Sequence, residues 1–174
     1  MEMIVLKGDL TSINADIIVN AANKTLLGGG GVDGMIHRKA GKELLEECKT
    51  LGGCNTGEAK ITDGYKLPCK KIIHTVGPVY KAGDEKVKTL LKNAYINSLK
   101  LAEEYRKEAG LEFLSIAFPC ISTGLYKFPK EEASNIAIES VREFDNDKIK
   151  VIFMCFDDKD YNIYIKNLYG LEFK

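Results

Sequence analysis

Asn23 and Asp33 stand ten positions apart with four consecutive glycines, Gly28 to Gly31, between them, in the stretch AANKTLLGGGGVDGMIH. An amide can hold a hydroxyl, and a carboxylate can orient or deprotonate water. Glycine is the residue whose bare backbone comes closest to a ligand, and it loses the most freedom on folding. The run is too short and too poor in serine for a tether, although a flexible surface loop stays open as the plain alternative. The other reading is a loop that offers amide N–H groups to an anion at a helix N-terminus. Residues 25–37 contain no Lys or Arg. Phosphate there would be held by amides and a helix dipole, an arrangement suited to a diphosphate selected by shape. Asp33 fits a helix N-cap, yet a carboxylate beside a diphosphate is repelled and needs a compensating use.

A second loop, ISTGLY, brings Ser122, Thr123 and Gly124 directly after an apolar segment. These residues could close over the same phosphates from the other side, or form an ordinary turn. Ser122 is not in a GxSxG context, which leaves a serine-hydrolase elbow unsupported. Asn20 and Asn23 flank two alanines and could organise a turn or bind a sugar hydroxyl. His37 and His74 read as structural histidines, with a Cys120–His74 thiol nucleophile as a separate alternative. The five cysteines form no CxxC pair and read as reduced thiols, with no metal site expected. Gly29, Gly31 and Gly34 formally match GxGxxG, but AANKTLL separates them from the preceding strand and no acid follows near residues 52–55. No Gly-Lys-Ser/Thr is present for a Walker A loop.

These groups need a scaffold, and 174 residues suffice for one domain with a full core. The formal net charge is zero, which excludes the basic field of a protein that grips a long nucleic acid. The N-terminal MEMIVLKGDL turns polar too soon for a signal peptide, so a cytoplasmic location is expected, with no membrane segment. MIVLKGD, DIIVN, EAKITDG, KKIIHTVG, LEFLSIAF and KVIFMCF read as strands. Helical spacing predicts helices from Asp33 to about Leu51, from about Asp84 to Ala109, after Pro129, and in KDYNIYIKNLYG. The alternation predicts a three-layer α/β/α domain around a mixed, mainly parallel sheet. Its ligand should lie beyond the carboxyl ends of the strands.

In order along the chain, KGDLT, ADIIVNAAN, LLGGGGVDGMIHRKAG, LGGCNTGEAKIT, IIHTVGP, FPCISTGLYKFP and VIFMCFDDKDYNIY resemble the macrodomain family, specifically its MacroD-type branch. They cover nearly the whole chain, as a single macrodomain over residues 1–174. The resemblance implies a protein that binds ADP-ribose and hydrolyses its esters: mono-ADP-ribose on Asp or Glu side chains of proteins, and O-acetyl-ADP-ribose. A non-catalytic ADP-ribose reader is the alternative. Carried over by motif, Asp9 accepts the adenine amino group with Leu10 beside it, and Phe156 packs on the adenine side. Gly29, Gly30, Gly31 and Val32 form one phosphate loop, and Ser122, Thr123, Gly124, Leu125 and Tyr126 the other. Asn23 contacts the distal ribose, and Asp33 occupies the catalytic position. No cofactor or metal is implied, and a monomer is expected.

Overall fold

Along the strands, apolar side chains alternate between two destinations, because successive residues of a strand point to opposite faces. In the computed structural model, which describes residues 1–171, that alternation builds two cores on the two sides of one sheet. The strands are β1 (Glu2–Lys7), β2 (Ile17–Ala21), β3 (Ala59–Asp63), β4 (Lys71–Thr75), β5 (Leu114–Phe118) and β6 (Ile149–Cys155). Their order is β1-β6-β5-β2-β4-β3, parallel throughout except that β3 runs antiparallel to β4.

Ile17, Val19, Ile73, Phe118 and Phe153 face the helices α3 (Glu85–Glu108), α4 (Lys130–Phe144) and α5 (Asp158–Tyr169). On this side Tyr95, Phe118, Phe153 and Tyr164 stack in sequence, with ring centroids 5.0, 6.4 and 5.1 Å apart, tying α3 to α5 through the sheet. Each such pair adds about 0.5–1.5 kcal/mol beyond the area it buries. Ile18, Ile72, Ala117 and Ile152 face the other way, toward α1 (Gly31–Ala40) and α2 (Lys42–Thr50). The expected three layers are therefore present.

The helix expected from Asp33 to Leu51 is two helices. Gly41 separates them at φ +96°, a left-handed conformation that ends α1 and serves as the N-cap of α2. Helical spacing continues on both sides of Gly41, so periodicity alone does not reveal the break. Nor is Asp33 the cap of α1. The cap is Gly30, in extended conformation, and Asp33 falls within the first helical turn. There its side chain points along the sheet side of the helix, where it is buried.

Candidate active site

The glycine loop is built by its own small hydrogen-bond system. Asn23 Oδ1 accepts from the backbone N–H and hydroxyl of Thr25, and its Nδ2 donates to Gly28 O at 2.9 Å. Leu26, at φ +62°, drops its side chain into the core beneath the loop. The loop therefore holds one shape and delivers Gly30 and Gly31 to the start of α1. A methyl group on Gly29 would lie 3.1 Å from Asp33 Oδ2 and 3.4 Å from Asn23 Nδ2, so the carboxylate and the amide converge on the same point of the loop.

Strand register explains what surrounds Asp33. Asn20 on β2 and His74 on β4 are paired residues of parallel neighbours, and both point to the α1 side. Asn20 Nδ2 donates to Asp33 Oδ1 at 2.8 Å and to His74 Nδ1 at 3.1 Å. An amide nitrogen only donates, so Nδ1 of His74 accepts and its proton sits on Nε2. That Nε2–H donates to Thr62 Oγ1 at 2.9 Å, across the antiparallel β3–β4 pair. Burial pushes the His74 pKa down to about 3, so the ring stays neutral. One turn along α1, His37 Nε2 lies 3.4 Å from Asp33 Oδ1. Burial raises the Asp33 carboxyl above its ordinary 3.8, outweighing the hydrogen bond from Asn20 and the attraction of His37. A carboxylate so placed is a stronger base than a solvated one, and a water facing it in the cleft could be oriented or deprotonated.

The cleft runs across the carboxyl ends of the strands as two joined chambers of about 540 Å³ each. The first is lined by Asp9, Leu10, Thr123 and Phe156 among others. The second is lined by Asn23, Gly29, Gly30, Asp33, Ser122, Leu125 and Tyr126. Gly31, Val32, Cys120 and Gly124 line both, marking a waist where the two loops face each other. The residues that the resemblance assigns to ligand binding and catalysis thus all border one cleft, whereas Asn20, His37 and His74 do not line it. Phe156 is 77% exposed and Leu125 89% exposed, both at its rim.

The second loop is held as firmly as the first. Phe128 N–H donates to Ser122 O, Lys127 N–H to Gly124 O, and Tyr80 N–H to Tyr126 O. Ser122 sits at φ +67° with a buried hydroxyl that has no hydrogen-bond partner among the described residues. Beneath it, a Cβ on Gly77 would stand 2.2 Å from Ser122 Oγ and 2.6 Å from Ile121 Cγ2. Gly77→Ala should lower the denaturant midpoint by an amount worth about 1–3 kcal/mol, because it overpacks a fixed loop. Gly124→Ala, with nothing near the added methyl, is the control expected to leave the midpoint in place.

Two features differ from the sequence reading. The first chamber is bordered by the side chains of Arg38 and Lys130, so cations do lie near the anion loop; one follows residues 25–37 and the other arrives from α4. Lys130 pairs with Asp160 of α5. Asp9, expected to accept a ligand amino group, already accepts from Thr11 N–H and hydroxyl on Oδ1 and from Ser12 and Lys39 on Oδ2. Lys39 and Thr11 hold it well below the usual carboxylate range. A carboxylate has room for about four donors, so a ligand amine must displace one, and the exposed Ser12 and Lys39, both on Oδ2, are the ones free to leave.

The Cys120–His74 alternative has no geometric basis. Both ring nitrogens of His74 are engaged by Asn20 and Thr62, and Cys120 Sγ lies 3.9 Å from Cys155 Sγ. That contact and burial hold the Cys120 thiol protonated. Sequence reasoning missed the Asn20–His74–Thr62 connection, for which the only signal was polar residues at core positions of three apolar strands. Among the described residues, no group of three or more His, Cys, Asp or Glu could hold a metal ion, and no helix is long and apolar enough to cross a membrane.

Comparison with known proteins agrees with this geometry. The Macro domain family model matches residues 19–137, from the end of β2 through the glycine loop, the second loop and into α4. A Macro domain-containing protein of Chlorobaculum tepidum, CT2219, is 55% identical over 94% of this chain and 93% of its own length. The ADP-ribose glycohydrolase MACROD2 of Xenopus laevis is 52% identical over 93% of this chain, which corresponds to 38% of that longer protein. The Oceanobacillus iheyensis macrodomain, solved with ADP, superimposes with a TM-score of 0.88 at 41% identity, covering 97% of this chain and 90% of that one. With the two loops, the strand order and the matched residues all in agreement, the chain belongs to the Macro domain family.

Proposed function

We propose that this protein is an ADP-ribose-binding hydrolase that removes mono-ADP-ribose from proteins modified on Asp or Glu and deacetylates O-acetyl-ADP-ribose. One observation carries the catalytic half of this reading: Asp33, buried and with a raised carboxyl pKa, faces the same chamber as Asn23 and the glycine loop. A module that only bound the nucleotide would gain nothing from a buried carboxylate beside a diphosphate. The names of the relatives support the substrate class, since MACROD2 is called an ADP-ribose glycohydrolase and the Oceanobacillus macrodomain was solved with ADP.

In this reading the first chamber takes the adenine, with Asp9, Leu10 and Phe156. The diphosphate lies at the waist between Gly29–Val32 and Ser122–Tyr126, held by backbone N–H groups at the start of α1. The distal ribose enters the second chamber against Asn23, and Asp33 orients or deprotonates the water that attacks the ester linkage. The work is assigned to a cytoplasmic monomer acting without metal or cofactor. The test is release of ADP-ribose from a substrate mono-ADP-ribosylated on acidic side chains, in EDTA. Release supports the hydrolase; no release from either ester substrate, with calorimetry still showing ADP-ribose binding, turns the reading to a non-catalytic reader.

The pH profile is a further check. Asp33 must be ionised to act, so activity should fall as pH drops through its folded-state pKa. Because burial raises that value, the acid limb of kcat/KM should lie above the ordinary aspartate range. An acid limb at or below that range would remove Asp33 from the role of base.

A further inference from the structure

We infer that His74 is a positioning residue for the reaction proposed above: its acceptor nitrogen fixes the Asn20 amide in the one orientation that donates to Asp33. The inference rests on that proposed function for its effect on turnover, and on the geometry alone for its effect on Asp33. His74 is fully buried and lies one residue removed from Asp33, with Asn20 between them. Asn20 could be turned over with little change in shape, and its carbonyl would then face the Asp33 carboxylate. The Asp33 carboxylate opposes this only while it is ionised, and Asn20 Oδ1 has no hydrogen-bond partner among the described residues that would add a restraint.

The restraint comes from the other side. Nδ1 of His74 accepts only while the ring proton is on Nε2, and Thr62 Oγ1 keeps it there by accepting from Nε2 at 2.9 Å. Thr62 in turn has Asp63 O within 3.2 Å as acceptor for its own hydroxyl. The direction of every bond is then set from β3 through β4 and β2 to Asp33 on α1. An imidazole protonated on Nδ1 would meet the Asn20 amide donor to donor. The ionisable groups that face Asp33 are His37 from α1 and Cys48 from α2, with His74 of β4 reaching it through Asn20. Cys48 is itself pushed up to about 11 by burial and nearby acids and stays neutral, and His74 stays neutral as well. The donor supplied through Asn20 is therefore a principal influence lowering the Asp33 carboxyl.

Nitrogen NMR of the wild-type imidazole gives the first test: a neutral His74 with its proton on Nε2 is expected, and a proton on Nδ1 overturns the inference. Three variants give the second. His74→Phe keeps an aromatic ring without an acceptor, Thr62→Val removes the group that fixes the ring proton, and His74→Asn returns an acceptor close to the place of Nδ1. His74→Phe should lower kcat about 10- to 100-fold, the usual effect of losing a group that orients an active residue. ADP-ribose affinity should not change. Thr62→Val should shift kcat in the same direction, and His74→Asn should recover much of the loss despite its smaller volume.

Carbon NMR of the Asp33 carboxyl should show its titration midpoint moving upward in His74→Phe and returning in His74→Asn. A purely structural His74 predicts the opposite ranking, with the smaller Asn the worst. Folded His74→Phe with wild-type kcat and an unmoved Asp33 midpoint overturns the inference. If wild type releases no ADP-ribose while the midpoint moves as expected, the proposed function fails and the positioning of Asp33 by His74 stands. If wild type is active and the midpoint is fixed, the positioning role alone fails.

Discussion

Asp33→Asn should slow ADP-ribose release about 10²- to 10⁴-fold, the span over which a positioned general base contributes, and should leave the protein more resistant to denaturant than wild type. The two effects share one cause. Asparagine has the shape of aspartate, and its carbonyl can accept the 2.8 Å hydrogen bond from Asn20, so the surroundings need not move. What disappears is a charge that burial opposes. Because the folded state binds the Asp33 proton more tightly than the unfolded chain, ionisation costs stability. That cost is absent below the unfolded-state carboxylate range and fully present once pH exceeds the raised folded-state value. The gain in Asp33→Asn should be about 1 kcal/mol near neutrality, as is common when an active-site strain is relieved. It should close as the solution is acidified. ADP-ribose affinity, measured by calorimetry, should be retained or improved, since a negative neighbour of the diphosphate is gone. Turnover near the wild-type rate would sink the role assigned to Asp33.

The largest effect on binding belongs to Gly30→Glu. Gly30 has φ −95° and ψ −175°, an extended conformation open to any residue, and a Cβ there meets nothing within 4 Å. The fold therefore does not require glycine at this position; only an occupant of the cleft would. A carboxylate introduced about 4 Å from a phosphate near the surface costs roughly 4 kcal/mol. ADP-ribose affinity should accordingly fall roughly a thousandfold while the melting temperature holds. Gly30→Gln, with the bulk and without the charge, should fall in between. Gly34 shows the contrast, since its Cβ would stand 2.5 Å from Gly29 O and substitution there strains the loop itself. Tight binding by a folded Gly30→Glu would mean that the diphosphate lies elsewhere.

Much of this was legible in the sequence because it is local. Periodicity revealed the six strands and the long α3, whose stripe from Val87 to Ala102 packs on the sheet. The glycine run with Asp33 could be read as an anion loop because a loop and the helix it opens are neighbours in sequence. What could not be read is what depends on partners far along the chain. The end of the first helix turns on whether Gly41 is held at positive φ, and a glycine within a helical pattern does not say. Of the two cations of the first chamber, Lys130 escaped because it arrives from a helix more than ninety residues beyond the glycine loop, whereas Arg38 lies on α1 itself, one residue past the stretch read as free of cations. Asn20, His74 and Thr62 looked like isolated polar residues until strand register joined them. Asp9 was singled out by its motif, but its four existing donors were invisible without the fold.

The place of β1 at the sheet edge governs the order in which the cleft can be assembled. β1 pairs only with β6, Glu2 opposite Lys150, so its partner leaves the ribosome almost a whole chain later. Contacts of such long sequence separation form slowly, because closure of the loop must precede its reward. β2 and β4, which carry Asn20 and His74, can pair well before then. The Asn20–His74 support beneath Asp33 can thus form before β6 is made, whereas the part of the cleft bordered by Asp9 and Phe156 requires that last strand.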